Sequence, residues 1–353
     1  MDDILIIGAG IAGLTAAVCL QEAGAAVHVL EACPQIGGRV RPAVDPDTGW
    51  VAGDLGPTWV WPRWQPDVAR WIARLGLEPM PQFDEGEGLL DGYGPAPMRY
   101  PIPGQDGISR LVGGPWSIVR ALESRLASGT VETGVRVTGI ASGGAGLRVT
   151  TADGQDRLAA RVILAAPLRI VAEQIGIEGL PPALRTALEA TPTWMAPQAK
   201  VVALYDRPFW RGMGLSGRVA SRTGPLVEVH DHSPGDAGHG ALFGFVGWSA
   251  AERAADPEGL RHAILDQLGR CFGAEAGAPR HLIVQDWARE PTICAEADLT
   301  RPPQHPDVGP AILRQGHMAG RLWLAVSETS DTSPGLIEGA LTAGEAAARR
   351  VLG

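Results

Sequence analysis

The chain opens on an apolar run, residues 4–20, broken by glycines at 8, 10 and 13. Four apolar residues ahead of a glycine read as a buried strand, and the apolar positions after Gly10 recur at helical spacing. The run therefore predicts a strand over 4–7, a turn and a helix over 11–23. Gly24 punctuates the helix end and a second strand follows over 26–30, giving a βαβ opening. Asp2 and Asp3 precede the run where a signal peptide would carry positive charge, which argues against a leader or a membrane span. Residues 42–66 are rich in Pro, Gly and Trp and read as loop. The stretch 66–75 reads as a helix with Trp64, Val68, Trp71 and Leu75 on one face. A weakly structured Gly/Pro-rich stretch covers 76–107. A helix over 116–127 then precedes alternating segments over 130–137, 146–151 and 157–164, a small antiparallel sheet whose return strand ends at Pro167. From about 181 to 289 the strands are longer (199–205, 226–230, 241–248, 281–287) and surround one clear helix over 257–272. A last strand over 322–326 leads into a terminal helix over 335–352.

A chain of 353 residues has room for about two domains. Hydrophobic residues at 45% and charged residues at 20% exclude a largely disordered chain. A net charge of −9 argues against a nucleic-acid partner, which would need clustered Lys and Arg. Cys19, Cys33, Cys271 and Cys294 are widely spaced, so neither a disulfide framework nor a zinc site is expected, and a cytoplasmic setting fits. The 30 basic residues comprise 29 arginines and one lysine, Lys200. A coding preference for Arg explains the missing lysines and leaves the surviving one to be explained. His230, Asp231, His232 and His239 form the only His/Asp cluster. Two His at i, i+2 on a strand point the same way, as a metal site would require, but the neighbouring Ser233-Pro234-Gly235-Asp236 favours a solvated turn, and no metal is expected.

Gly8-Ala9-Gly10-Ile11-Ala12-Gly13 is a G-x-G-x-x-G between a strand and a helix. The first glycine turns tightly, the second lets a pyrophosphate approach the backbone, and the third lets the helix pack on the strand. The helix N-terminus adds free N–H groups and partial positive charge. Glu31 ends the second strand, placed to accept hydrogen bonds from a ribose diol. Gly37-Gly38-Arg39 follows, a second glycine turn whose guanidinium can pair with the pyrophosphate.

With these motifs on view, the chain resembles the flavin-dependent amine oxidase family, relatives of monoamine and polyamine oxidases. The likeness continues through Asp54-Leu55-Gly56-Pro57-Thr58-Trp59-Val60, Leu111-Val112-Gly113-Gly114, Ala199-Lys200 to Pro208-Phe209-Trp210, Asp286-Trp287, Ser327-Glu328-Thr329, Ser333-Pro334-Gly335 and Glu338-Gly339-Ala340. It implies an α/β fold: a Rossmann-like FAD-binding domain carrying an inserted α+β substrate domain built on an antiparallel sheet. The FAD-binding domain would comprise 1–80, 107–190 and 290–353, and the substrate domain 81–106 and 191–289. The resemblance implies FAD rather than NAD, bound without a covalent link and held by Gly8, Gly10, Ile11, Ala12, Gly13, Glu31, Gly37, Gly38, Arg39, Gly56, Pro57, Thr58 and Trp59. Val135 would meet the adenine end, Glu328 the ribityl and phosphate region, and Gly335, Leu336 and Ile337 the flavin pyrimidine. Lys200 falls on the position whose side chain assists the reaction of reduced flavin with dioxygen, and Trp287 would supply an aromatic wall. Trp61, Trp210 and Leu336 are candidates for the substrate pocket. The implied reaction removes hydride from a carbon next to nitrogen, giving an imine and, on reoxidation, hydrogen peroxide. The expected partners are a small-molecule substrate and O2, with no membrane and a homodimer as the expected assembly.

Three departures qualify the substrate. Of the two tyrosines that face each other in many amine oxidases, one position is Leu336 and the other, after Trp287, has no tyrosine. The helical part of the substrate domain is reduced to about 81–106. Cys33 replaces an arginine often found two residues after the ribose-binding acid. Cys294 lies near the position that holds flavin covalently in some members, at a different spacing from Trp287. A desaturase or dehydrogenase acting on C–C or ring C–N bonds, and an accessory FAD-binding protein, are the rival readings.

Overall fold

In the computed structural model, which describes residues 2–235, 238–301 and 304–353, the N-terminal apolar run forms a strand (β1, Asp2–Ile7), a glycine turn and a helix (α1, Ile11–Glu22). A second strand (β2, Val27–Glu31) returns parallel to β1. Successive strand residues face opposite ways, and Leu5 and Ile6 are both fully buried, in separate cores on the two faces of the sheet. That is why the strand reads as a continuous apolar run rather than an alternation.

The sheet runs Gly176–Ile177, Val137–Gly143, Gly146–Thr151, Asp156–Leu164, β1, β2, Val131–Thr133, with Leu322–Leu324 also paired to Asp156–Leu164. The antiparallel hairpin expected as a separate small sheet is continuous with it. Asp156–Leu164 has nine residues, enough to pair antiparallel with Gly146–Thr151 in its first half and parallel with β1 and Leu322–Leu324 in its second. The terminal helix (Ile337–Leu352) crosses α1 closely, at Gly344, where a Cβ would lie 2.4 Å from the Ala12 carbonyl oxygen.

A second, mostly antiparallel sheet runs His281–Asp286, Ala199–Tyr205, Gly240–Val246, Leu226–Asp231, Leu215–Ser221, Glu87–Asp91, Met98–Tyr100. Alternation along Ala199–Tyr205 sorts its faces. Ala199, Val201, Ala203 and Tyr205 pack with the helix Pro257–Phe272. Val202 and Leu204 pack with the hairpin Pro42–Val44 and Val51–Asp54, in a stretch expected to be loop. The stretch 76–107 likewise contributes strands, and Leu215–Ser221 was not evident because its Gly, Ser and Arg positions break the apolar alternation. Trp71 is buried as its helical spacing requires, but Trp64 lies ahead of the helix and is exposed, under the Arg63 guanidinium. No helix among the described residues is long and apolar enough to cross a membrane.

Candidate active site

A cavity of about 530 Å³ runs between the two sheets. One end is the glycine turn after β1. Gly8 takes φ +108°, and a Cβ there would lie 2.6 Å from the Ala165 carbonyl oxygen. A Cβ on Gly13 would sit 2.0 Å from the Gly8 carbonyl, whereas Gly10 has nothing nearer than 4.0 Å and borders open space. No side chain caps α1, so its first N–H groups are available to an anion. At the end of β2 the Glu31 carboxylate accepts from the backbone N–H groups of Ala9 (2.7 Å) and Cys33 (2.8 Å), which fix its orientation while leaving lone pairs toward the cavity. Val135 is tied to the same spot, its N–H donating to the Glu31 carbonyl at 2.8 Å.

Arg39 and Glu328 form a bidentate pair, with Nη1 and Nη2 donating to the two carboxylate oxygens at 2.6 and 2.9 Å. Burial pulls the Arg39 guanidinium down, but the carboxylate beside it outweighs that and raises it. Burial likewise pushes Glu328 up, and Arg39 more than offsets it, holding the carboxyl below its usual range. The pair bridges residues almost three hundred positions apart and leaves Arg39 on the cavity wall, with Glu328 behind it.

Toward the second sheet, the backbone of 54–59 is pinned by two of the sequence-predicted residues. Lys200 Nζ donates to the Gly56 carbonyl, and Trp287 Nε1 donates to the Leu55 carbonyl at 2.7 Å. Lys200 is 4% exposed, with its Nζ 4.6 Å from the Phe245 ring centroid and 5.1 Å from that of Phe243. Burial draws its pKa down to about 7, against the opposing pull of the Asp54 carboxylate. At the third edge, Ser333 and Gly335 take positive φ, and the terminal helix begins at Ile337 without a side-chain cap.

The cavity wall thus contains Gly8, Gly10, Ile11, Ala12, Glu31, Gly37, Gly38, Arg39, Gly56, Pro57, Thr58, Trp59, Trp61, Val135, Lys200, Trp287, Gly335, Leu336 and Ile337. Gly13 and Glu328 stand behind it. Trp210 is not a pocket residue. It is fully buried on the helix-covered face of the second sheet, against Tyr205, Phe209 and Phe272, and its Nε1 donates to Asp231 Oδ2 at 2.8 Å. The His/Asp cluster is likewise not a solvated turn. His230, Asp231 and His232 are buried at and beyond the end of Leu226–Asp231, while His239 is exposed and Asp236 lies outside the described residues. Asp231 is held by Arg211 as well as Trp210, and His232 Nε2 lies 3.0 Å from Asp54 Oδ2, with burial drawing that imidazole down to about 4. Cys294 is buried and does not line the cavity, whereas Cys33 does, 3.3 Å from Thr292 Oγ1.

A polar wall stands outside the sequence-predicted set: Gln82, Asp84, Arg218, Glu228 and His230 all line the cavity beside Trp59. Its signal was the two-residue spacing of Glu228 and His230, which in a strand puts both on one face. No tyrosine lines the cavity. Tyr93 and Tyr100 are exposed, and Tyr205 faces the helix side, donating to the Ala276 carbonyl.

The family model described as flavin containing amine oxidoreductase matches residues 100–352, and one for an NAD(P)-binding Rossmann-like domain matches 6–75. The putative flavin-containing monoamine oxidase AofH of Mycobacterium tuberculosis is 27% identical over 99% of this chain and 96% of its own length. Amine oxidase [flavin-containing] B of Sus scrofa is 25% identical over 99% of this chain and 86% of its own. The match to the probable flavin-containing monoamine oxidase A of Dictyostelium discoideum, also 27% identical, spans 67% of this chain and about half (51%) of that protein. Among solved structures, wild-type putrescine oxidase bound to putrescine superposes with a TM-score of 0.82 at 20% identity, covering 99% of each chain. Cyclohexylamine oxidase from Brevibacterium oxydans IH-35A superposes with a TM-score of 0.81 at 20% identity, covering 99% of this chain and 98% of the other.

Proposed function

Because the chain belongs to the flavin-containing amine oxidoreductase family, we propose that the cavity between its sheets holds FAD and an amine side by side, and that the enzyme oxidises the amine to an imine. The observation that carries this reading is the continuity of one cavity from the glycine turn and Glu31 to Lys200 and Trp287. The open edge at Gly10, the uncapped start of α1 and the oriented Glu31 carboxylate fit a pyrophosphate and a ribose diol. When bound, FAD supplies the hydride acceptor and passes the electrons on to dioxygen, giving hydrogen peroxide.

This chain's residues do the rest. Arg39, held in place by Glu328 on the cavity wall, would offer its guanidinium to the phosphates of the cofactor. The first N–H groups of the terminal helix, uncapped at the cavity wall beside Leu336 and Ile337, would stabilise negative charge on the ring of a bound flavin. Lys200 places a titratable cation in a dry site, where a charge acts more strongly than in water. Trp59, Trp287, Phe245 and Leu336 exclude water and guide the substrate's apolar part. The division of the chain, with FAD held by 1–80, 107–190 and 290–353 and substrate by 81–106 and 191–289, belongs to the same proposal, as does a cytoplasmic location, in keeping with four unpaired cysteines.

The test is an anaerobic titration of the yellow protein with primary amines, amino acids and cyclic non-amines, followed by admission of air. Amines should bleach the flavin and release one peroxide per turnover. Bleaching by cyclic non-amines alone would overturn the amine reading and favour a desaturase, a possibility that the absence of tyrosine from the cavity keeps open.

A further inference from the structure

An alkyl amine has a pKa near that of lysine, about 10.4, so at pH 7 all but roughly one molecule in 2,500 arrives as the ammonium ion. Hydride can leave the carbon beside nitrogen only when the nitrogen lone pair is free. If the cavity oxidises amines, as proposed above, the ammonium proton must go to some group on its wall.

The polar wall of the chamber offers that group. Lys200, Phe245 and Glu228 stand opposite one another on three neighbouring strands, and Val202, Phe243 and His230 form the next row on the same face. His230 is 6% exposed, and its ring stands edge-on to Trp59 with centroids 4.8 Å apart. Its Nε2 is buried and makes no hydrogen bond, yet Glu228 Oε1 lies 2.9 Å away. The other charged groups facing it are Asp84, 3.8 Å from Arg218 on the neighbouring strand, and Lys200 two strands away. Asp231, next in sequence, is neutralised by Arg211. Arg218 is partly spent on the Pro103 carbonyl at 2.6 Å, and Lys200 on the Gly56 carbonyl.

Glu228 differs from His230 in one respect. It lines the inner chamber and also an outer pocket of about 590 Å³, which it shares with Met195 and Phe245, and its side chain is 48% exposed. A carboxylate that touches both spaces connects the buried imidazole to solvent.

We infer that His230 is the base that takes the proton from the incoming ammonium at Nε2, and that Glu228 is the positioning residue that holds the resulting imidazolium and passes its proton outward only after hydride has left the carbon. The step balances as R–NH3⁺ plus neutral imidazole giving R–NH2 plus imidazolium. The N–H bond of the amine breaks, an N–H bond forms at Nε2, and no electrons change hands until hydride leaves the carbon. This gives the cavity a means of using protonated amines without the tyrosine pair.

The test is stopped-flow reduction of the FAD-loaded enzyme by benzylamine, cyclohexylamine and putrescine from pH 6 to 10, without oxygen, in wild type, His230→Gln and Glu228→Gln. A pH-indicator dye records proton release on mixing. In wild type, the apparent second-order rate of reduction should stay nearly flat from about pH 9 down to about pH 7 and fall only where the imidazole itself takes up a proton, with no proton released before bleaching. In His230→Gln it should keep falling tenfold per pH unit, be at least 30-fold down at pH 7, and come within a few-fold of wild type at pH 10. One proton should then appear on binding. Glu228→Gln, which removes a half-exposed charge, should shift the profile in the same direction by a smaller factor, and it decides the matter if His230→Gln does not fold. A profile unchanged in both variants, or a loss equal at every pH, would overturn the inference while leaving amine oxidation standing. Failure of all three amines to bleach the wild-type flavin would overturn both.

Discussion

Lys200 is the residue on which most of the chemistry can be decided by a single substitution. Its neutral form is favoured by burial, and its pKa of about 7 makes it a cation below neutrality and a neutral amine above it. If the cation assists electron transfer to dioxygen, reoxidation should be fastest at low pH and fall as pH rises through about 7, a limb that negative charge beside Nζ would move upward. Lys200→Met should keep FAD bound, slow reoxidation at pH 6.5 by 10-fold or more, and remove the limb, leaving a flat profile. Stopped-flow mixing of the reduced enzyme with air-saturated buffer at several pH values measures both effects, and an unchanged oxygen rate would remove Lys200 from the oxidative step. The same shift affects stability in a defined direction. Between pH 7 and the ordinary 10.5, the unfolded chain binds the proton that the native chain has lost, so this residue's contribution to stability rises with pH across that window.

At the scale of the element, the glycine turn shows how one motif divides between folding and binding. Gly13 has no room for a Cβ, which would meet the Gly8 carbonyl at 2.0 Å, while Gly10 sits at φ −74° with only a contact at 4.0 Å. Gly13→Ala should therefore lower the stability of the FAD-free protein by on the order of 1–3 kcal/mol or more through overpacking, seen as a lower urea midpoint. Gly10→Ala should stay within about 1 kcal/mol of wild type and yet lose FAD if, as proposed, the pyrophosphate fills the open space its methyl group would enter. Equal destabilisation by the two would contradict this division. The turn was legible in the sequence because its spacing encodes backbone geometry, as were the strand Ala199–Tyr205 and the helix Pro257–Phe272, whose patterns report one-sided or complete burial. Trp210 was misplaced for the opposite reason. A tryptophan beside a motif carries no mark of which sheet face it joins, and only the pairing of the strands puts it behind Asp231. The burial of His230 and His232 was hidden in the same way, since two polar residues next to Ser-Pro-Gly look like surface until Gly240–Val246 pairs alongside them.

At the scale of the whole molecule, the cavity belongs to no single stretch of sequence. Its wall is drawn from the first 65 residues, from Gln82 to Trp116, from Val135 to Ile175, from Trp194 to Phe245 across the second sheet, and from Trp287 to Ala340. The Arg39–Glu328 pair and the α1 crossing at Gly344 bind the first and last of these together. A ligand filling that cavity touches both sheets, so its binding free energy is set against the opening of either one. At free FAD one hundred times its Kd, linkage adds about 2.7 kcal/mol to the stability of the native state, and for a chain of this length that is on the order of 5 °C in Tm. Scanning calorimetry of the FAD-stripped and reloaded protein should show that upward shift. It should also show one unfolding transition in the loaded form if, as proposed, the cofactor is held by both sheets, since neither could then open without releasing it. Two separate transitions in the loaded protein, with only one moving on FAD addition, would mean that the second sheet contributes nothing to holding the cofactor, and that Lys200 and Trp287 do not reach it.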